Sequence, residues 1–351
     1  MRKFRKHAGL VAGLLALSLV AAACGGDDEP GGNGATDGAT TEPDGELTGS
    51  ITISGSSTVE PISSIVAEIF NETNPNVAFD VSGPGTGDGF ELFCNGEIDI
   101  SDASRPIESD EVKACKKNGI EYTELEVALD GVTVMTNPEN SDVACLNSGD
   151  LYALFGPESE GIDTWAGADS LATQVGGNGG FPDVPLEITA PGEESGTYDA
   201  FIELTGLEDI ALEQGVSEDV AAALRKDYQA SPNDNVIITA MEGSPSALGF
   251  VGFAFADQAG DAVKEIEVDG GDGCVAPTPE SISDGSYPLS RSLYIYVSAE
   301  AAARPEVAAY IDYYVGDEAM ATGGLAEEVG YIALPSDRIE ATRSAWESAA
   351  A

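Results

Sequence analysis

Two short turns in this 351-residue chain hold the residue types that bind anions, Ser54-Gly55-Ser56-Ser57-Thr58 and Ser195-Gly196-Thr197. Each precedes a stretch whose periodicity predicts a helix. The first backbone N–H groups of a helix have no partner and carry the positive end of its dipole. Ser and Thr hydroxyls add donors, and Gly lets a ligand approach the backbone closely. The plainer reading of each turn is a helix cap, with Thr58 capping a helix that starts at Pro61. A third segment, Asp99–Ile107, adds Ser104 and Arg105. A guanidinium beside a hydroxyl offers a fork that suits an oxyanion, although a salt bridge to a nearby carboxylate is the common fate of an Arg. Arg291, after Pro288-Leu289-Ser290, is a weaker counterpart.

A carboxylate in such a site would have its own use. An ionised Asp only accepts hydrogen bonds. It favours an oxyanion that still carries a proton, such as phosphate, and leaves sulfate with an unpaired, repelled contact. Asp102, Asp130 and Asp88 are the candidates, each also readable as a surface or loop-capping residue. No catalytic set accompanies them. The one His, His7, lies in the basic leader, so a Ser-His-Asp arrangement is excluded from the rest of the chain. No Gly-Lys-Ser or Gly-Lys-Thr occurs, so the phosphate loop of nucleotide hydrolases is absent from the sequence.

The surrounding composition makes the anion turns informative. Sixty-two acidic residues face 15 basic ones, a formal charge of −47. Such a chain recognises an anion by geometry rather than attracting it by net charge. Nucleic acid is excluded as a partner, because binding it requires Lys and Arg to neutralise phosphates. Many carboxylates suit a saline habitat or simply a soluble exported protein, and both remain open.

The first segment is not part of the fold. Residues 1–23 combine a basic start, an apolar run from Ala8 to Val20 and a small-residue site before Cys24. The run is short for a permanent membrane span. The segment resembles a bacterial lipoprotein signal, with Ala21 as a departure from its pattern, and the resemblance implies a lipid on Cys24. Residues 24–49, rich in Gly, Asp, Glu, Thr and Pro, read as a flexible tether. The remaining Cys94, Cys115, Cys145 and Cys274 suggest two disulfides with three connectivities. Cys94–Cys115 with Cys145–Cys274 is preferred, because the first two flank one compact segment. Zinc is disfavoured, since no C-x-x-C pair exists.

The pattern from Ser50 alternates strands and helices. Ser50–Ser54 and Val77–Val81 read as strands around a helix whose stripe is Ile62, Ile65, Val66, Ile69 and Phe70. Strand, helix, strand at this spacing implies a parallel sheet. Val127–Met135, Leu186–Thr189, Ala247–Phe253 and Leu293–Val297 read as further strands, Tyr198–Thr205 and Glu306–Val315 as helices. Both anion turns then follow the carboxyl ends of strands, where α/β sheets form ligand crevices.

The order of the motifs is that of a known family. Gly55-Ser-Ser-Thr-Val-Glu-Pro61, Gly85-Thr-Gly-Asp-Gly89, Cys94–Ile107 and Ser195-Gly-Thr197 resemble the phosphate-binding protein of the bacterial phosphate ABC transporter. Ser231–Val236, Ala247–Phe250, Tyr287–Arg291 and Val329–Ile332 extend the resemblance over nearly all of the chain from Ser50. It implies an α/β, two-lobed type II periplasmic-binding-protein fold that closes over inorganic phosphate in a cleft between lobes. Lobe one is then 50–135 with 289–351, lobe two 136–288, and the hinge the runs near Val127–Met135 and Leu293–Val297. Ser56, Ser57, Thr58, Thr86 and Ser104 would bind from the first lobe, and Ser195, Gly196 and Thr197 from the second. One branch of the family has an Arg four residues before that last Ser and an Asp in the segment matching Ala103-Ser104-Arg105. This chain has Pro191 and Arg105 there. The expectation is that Arg105 replaces the guanidinium and that Asp102 or Asp130 accepts the ligand's proton.

The function expected is capture of phosphate outside the cytoplasm by a monomeric lipoprotein, without enzyme activity, cofactor or metal, and its delivery to a membrane permease. Another oxyanion (sulfate, molybdate), a secreted phosphate-ester hydrolase and a surface adhesion module are the alternatives.

Overall fold

A computed structural model describes residues 46–350 of the chain. The leader, Cys24 and the tether up to Gly45 lie outside the described residues. Twelve strands are found among the described residues: β1 (Gly49–Gly55), β2 (Val77–Ser82), β3 (Ile100–Ala103), β4 (Tyr122–Thr136), β5 (Cys145–Asn147), β6 (Glu187–Ala190), β7 (Gln229–Ala230), β8 (Ala247–Gly252), β9 (Lys264–Glu265), β10 (Glu267–Asp269), β11 (Cys274–Val275) and β12 (Ser290–Ser298).

Eight of them form one continuous path, β2-β1-β3-β12-β4-β8-β6-β7, with β9 paired to β4. At one end β1 runs parallel to β2 and to β3. At the other, β6 runs parallel to β7 and to β8. Between these parallel groups β12 and β4 are antiparallel to each other and to their outer neighbours. The 15-residue β4 belongs to both halves, pairing with β12 up to Gly131 and with β8 from Val132. A single strand thus carries the chain from one parallel group to the other. The carboxyl ends of β1, β3 and β6 open into the three segments picked out from the sequence, Ser56–Thr58, Ser104-Arg105 and Pro191–Thr197.

The core follows from residue type. Ile51 and Ile53 of β1, Ile100 of β3, and Leu125, Val127 and Leu129 of β4 are almost fully buried. Such β-branched and aliphatic runs are what a sheet covered on both faces requires. Helix Glu60–Thr73 packs Ile62, Val66 and Phe70 inward, while Ile65 and Ile69 are only partly buried. Pro61 sits in its first turn, where no N–H is needed. One strand ends earlier than expected. Phe253 leaves the strand and opens helix Phe253–Ala259. Ile332 pairs with Leu129 in an isolated β-bridge.

Disulfides join Cys94 to Cys115 and Cys145 to Cys274, the pairs preferred from the sequence. The first ties helix Thr86–Cys94 to helix Ser109–Asn118, and the second joins β5 to β11 at the edges of a small three-stranded sheet. Among the described residues no group of His, Cys, Asp and Glu could hold a metal ion. No described helix is long and apolar enough to cross a membrane.

Candidate functional site

The first turn is not a helix cap. Helix Glu60–Thr73 is preceded by Val59, and no side chain caps it. Ser56 Oγ accepts from Thr58 N at 3.2 Å, and Ser56 N donates to the Asp102 carbonyl at 2.9 Å. Gly55 must be Gly: its φ is 145°, and a Cβ there would lie 2.1 Å from the Asp102 carbonyl oxygen. β1 and β3 therefore press together at Gly55 and Asp102, and the turn springs from that contact. The second turn does cap its helix: Ser195 Oγ accepts from Thr197 N at the start of helix Gly196–Thr205.

The two turns meet. A Cβ on Gly196 would lie 3.2 Å from the Ser57 carbonyl oxygen and 3.3 Å from Thr58 Cα. They adjoin a cavity of about 420 Å³. Ser56, Ser57 and Thr58 line it from the first turn, Thr86 from the start of helix Thr86–Cys94, and Ser104 and Arg105 from the end of β3. Thr86 and Ser104 are linked, with Ser104 N donating to Thr86 Oγ1 at 3.2 Å and the two hydroxyl oxygens 2.9 Å apart. Ser195, Gly196 and Thr197 do not line it. Their helix instead sends Asp199 and Glu203 into the lining.

These two carboxylates were not singled out from the sequence. Their four-residue spacing after Ser195-Gly196-Thr197 is the signal that marks them, because it puts both on one helix face. Ser57 Oγ donates to Asp199 Oδ2 at 2.7 Å. Glu203 Oε2 accepts from Arg291 Nη1 at 2.5 Å. Glu193 and Glu194 are exposed.

Two arginines serve the site differently. Arg105 borders the cavity, but Glu111 takes its guanidinium in a two-point pair at 2.8 and 2.9 Å, and the group rests 5.6 Å over the Phe90 ring. Arg291, the weaker candidate from sequence, is nearly buried behind the first turn. It donates to Thr58 Oγ1 at 3.0 Å, to Glu203, and to Asp130 Oδ2 at 3.3 Å. Burial disfavours its charged form, yet the Asp130 and Glu203 carboxylates more than offset this and hold its pKa above the ordinary value.

Neither proposed proton acceptor lines the cavity. Asp130 faces Arg291. Asp102 is fully buried, with Oδ1 accepting from Ser63 Oγ at 2.8 Å and Oδ2 left without a partner among the described residues. Burial pushes its carboxyl up to about 8, against the lowering effect of the Ser63 bond, with Glu60 adding to the rise.

Comparison with known proteins follows the same lines. The profile of a PBP superfamily domain matches residues 40–318. Protein SphX of Synechococcus elongatus is 37% identical over 301 residues, 85% of this chain and 81% of its own length. The phosphate-binding protein PstS of Staphylococcus haemolyticus is 33% identical over 325 residues, 92% of this chain and 90% of its own. Among solved structures, a possible phosphate binding protein from Planctomyces limnophilus superposes with a TM-score of 0.76 at 35% identity, covering 86% of this chain and 99% of its own.

Proposed function

The chain belongs to the PBP superfamily and, within it, to the phosphate-binding PstS family, and from that premise we propose that it captures inorganic phosphate outside the cytoplasm and hands it to an ABC-type permease. Its relatives are binding proteins of transport systems, not enzymes. The observation that carries the reading is the cavity itself. Five hydroxyl residues, Ser56, Ser57, Thr58, Thr86 and Ser104, converge there with Arg105 at the rim and Arg291 behind Thr58. Neutral hydroxyl groups with a fixed guanidinium hold a compact oxyanion without needing a basic protein surface.

Residues 50–135 with 289–351 form one lobe in this proposal, and 136–288 the other. β4 and β12 connect them, and Ser195, Gly196 and Thr197 of the second lobe meet the first turn. Cys24 carries a lipid, and residues 24–49 tether a monomeric binding unit near the membrane. Arg105 supplies a second guanidinium beside Ser104.

Calorimetry of the full chain with phosphate, arsenate and sulfate tests the reading. Binding of phosphate and arsenate, with sulfate at least tenfold weaker, is expected. Equal binding of sulfate, or hydrolysis of an aryl phosphate, would overturn it.

A further inference from the structure

Ser57 and Thr58 are neighbours on one turn, yet their hydroxyls are held with opposite polarity. A hydroxyl has one proton to give and two lone pairs to receive with. Ser57 Oγ donates to Asp199 Oδ2, so the 2.7 Å contact commits the Ser57 proton to that carboxylate. What Ser57 has left for the cavity is a lone pair. Arg291 can only donate, so its 3.0 Å contact occupies a lone pair of Thr58 Oγ1. What Thr58 has left is its proton and one lone pair. Arg291 is itself fixed by Asp130 and Glu203, and it is 9% exposed. Both residues line the same cavity.

Resting on the phosphate-binding reading above, we propose that Asp199 is a positioning residue for ligand selectivity: by holding the Ser57 proton it makes Ser57 an acceptor, so the first turn presents one acceptor and one donor to the ligand. That pair matches a tetrahedral oxyanion carrying a proton. The ligand's O–H donates to Ser57, and Thr58 donates to one of the ligand's bare oxygens. A fully ionised oxyanion such as sulfate brings only acceptors, so its oxygen meets the Ser57 lone pair with no proton between them. An unmade polar contact of this kind is the strongest means a site has of rejecting a near-isostere. No ligand oxygen need touch Asp199 itself.

The test is calorimetry of the full chain with phosphate and with sulfate for wild type, Asp199→Ala, Ser57→Ala and the double variant, with thermal melts as a check on folding. Asp199→Ala frees the Ser57 hydroxyl to turn and donate. Sulfate affinity is expected to rise tenfold or more, while phosphate affinity changes less than threefold. Ser57→Ala removes the acceptor and lowers phosphate affinity, and adding Asp199→Ala to it should change the phosphate-to-sulfate ratio no further. If Asp199→Ala raises sulfate affinity equally in the Ser57→Ala background, Asp199 acts by charge repulsion and the relay is wrong. If wild type binds phosphate and Asp199→Ala keeps its selectivity, the relay alone fails. A wild type that binds no phosphate overturns the functional reading and this inference with it.

Discussion

Arg291 Nη2 donates to Thr58 Oγ1 at 3.0 Å, joining residues 233 positions apart in the chain. The contact places the one nearly buried guanidinium of the site directly behind the anion turn. Charge-assisted hydrogen bonds contribute about 1.5–3 kcal/mol each. Arg291→Lys keeps the charge but loses the fork that spans Thr58, Asp130 and Glu203. Phosphate affinity is expected to fall roughly tenfold or more by that energy. Arg105 is already engaged by Glu111, so Arg105→Ala should cost less, about threefold, since the guanidinium is shared. Calorimetry of the two variants sets the order, and an unchanged Arg105→Ala affinity would remove Arg105 from the site.

Gly196 tests the contact between turns. A methyl group there would stand 3.2 Å from the Ser57 carbonyl oxygen, tighter than an ordinary contact, so one turn must give by a few tenths of an ångström. Gly196→Ala is expected to weaken phosphate binding several-fold while the melting temperature barely moves. A variant that binds as tightly as wild type would mean that the two turns need not touch in the bound state.

Asp102 makes stability depend on pH. Its carboxyl titrates at about 8 in the folded chain against an ordinary 3.8. Between those values the folded protein keeps a proton that the unfolded chain has lost, so this group's contribution falls as pH rises through the window. Asp102→Asn removes that dependence. In phosphate-free buffer its melting temperature should gain on wild type steadily from about pH 5 to about pH 8. A gap that stays constant across that range would contradict the raised titration.

The two disulfides should contribute unequally. Cys145–Cys274 spans 129 residues and Cys94–Cys115 spans 21. By the loop-entropy relation, Cys145→Ser with Cys274→Ser should cost about 1.5 kcal/mol more than the equivalent change at Cys94 and Cys115. Denaturant midpoints of the two double variants measure the difference.

Local signals made much of this protein legible in its sequence. Alternating β-branched runs marked β1, β2 and β12, and the spacing of β1, the Pro61 helix and β2 implied the parallel pairing that the sheet has. Ser/Gly/Thr composition marked both anion turns, because a hydroxyl or a bare backbone has the same chemistry wherever the chain puts it. What composition does not carry is partnership. Arg105 looked stronger than Arg291 because it sits beside Ser104 in sequence. Folding instead delivered Arg105 to Glu111, six positions on, and brought Arg291 to Thr58 through the pairing of β12 with β4. Asp199 and Glu203 enter the site only because their helix is set against the first turn. The sequence alone determined which groups could bind an anion. Only the tertiary structure decided which are free to do so and with which polarity, because each hydroxyl and guanidinium has few bonds to make and long-range packing spends most of them.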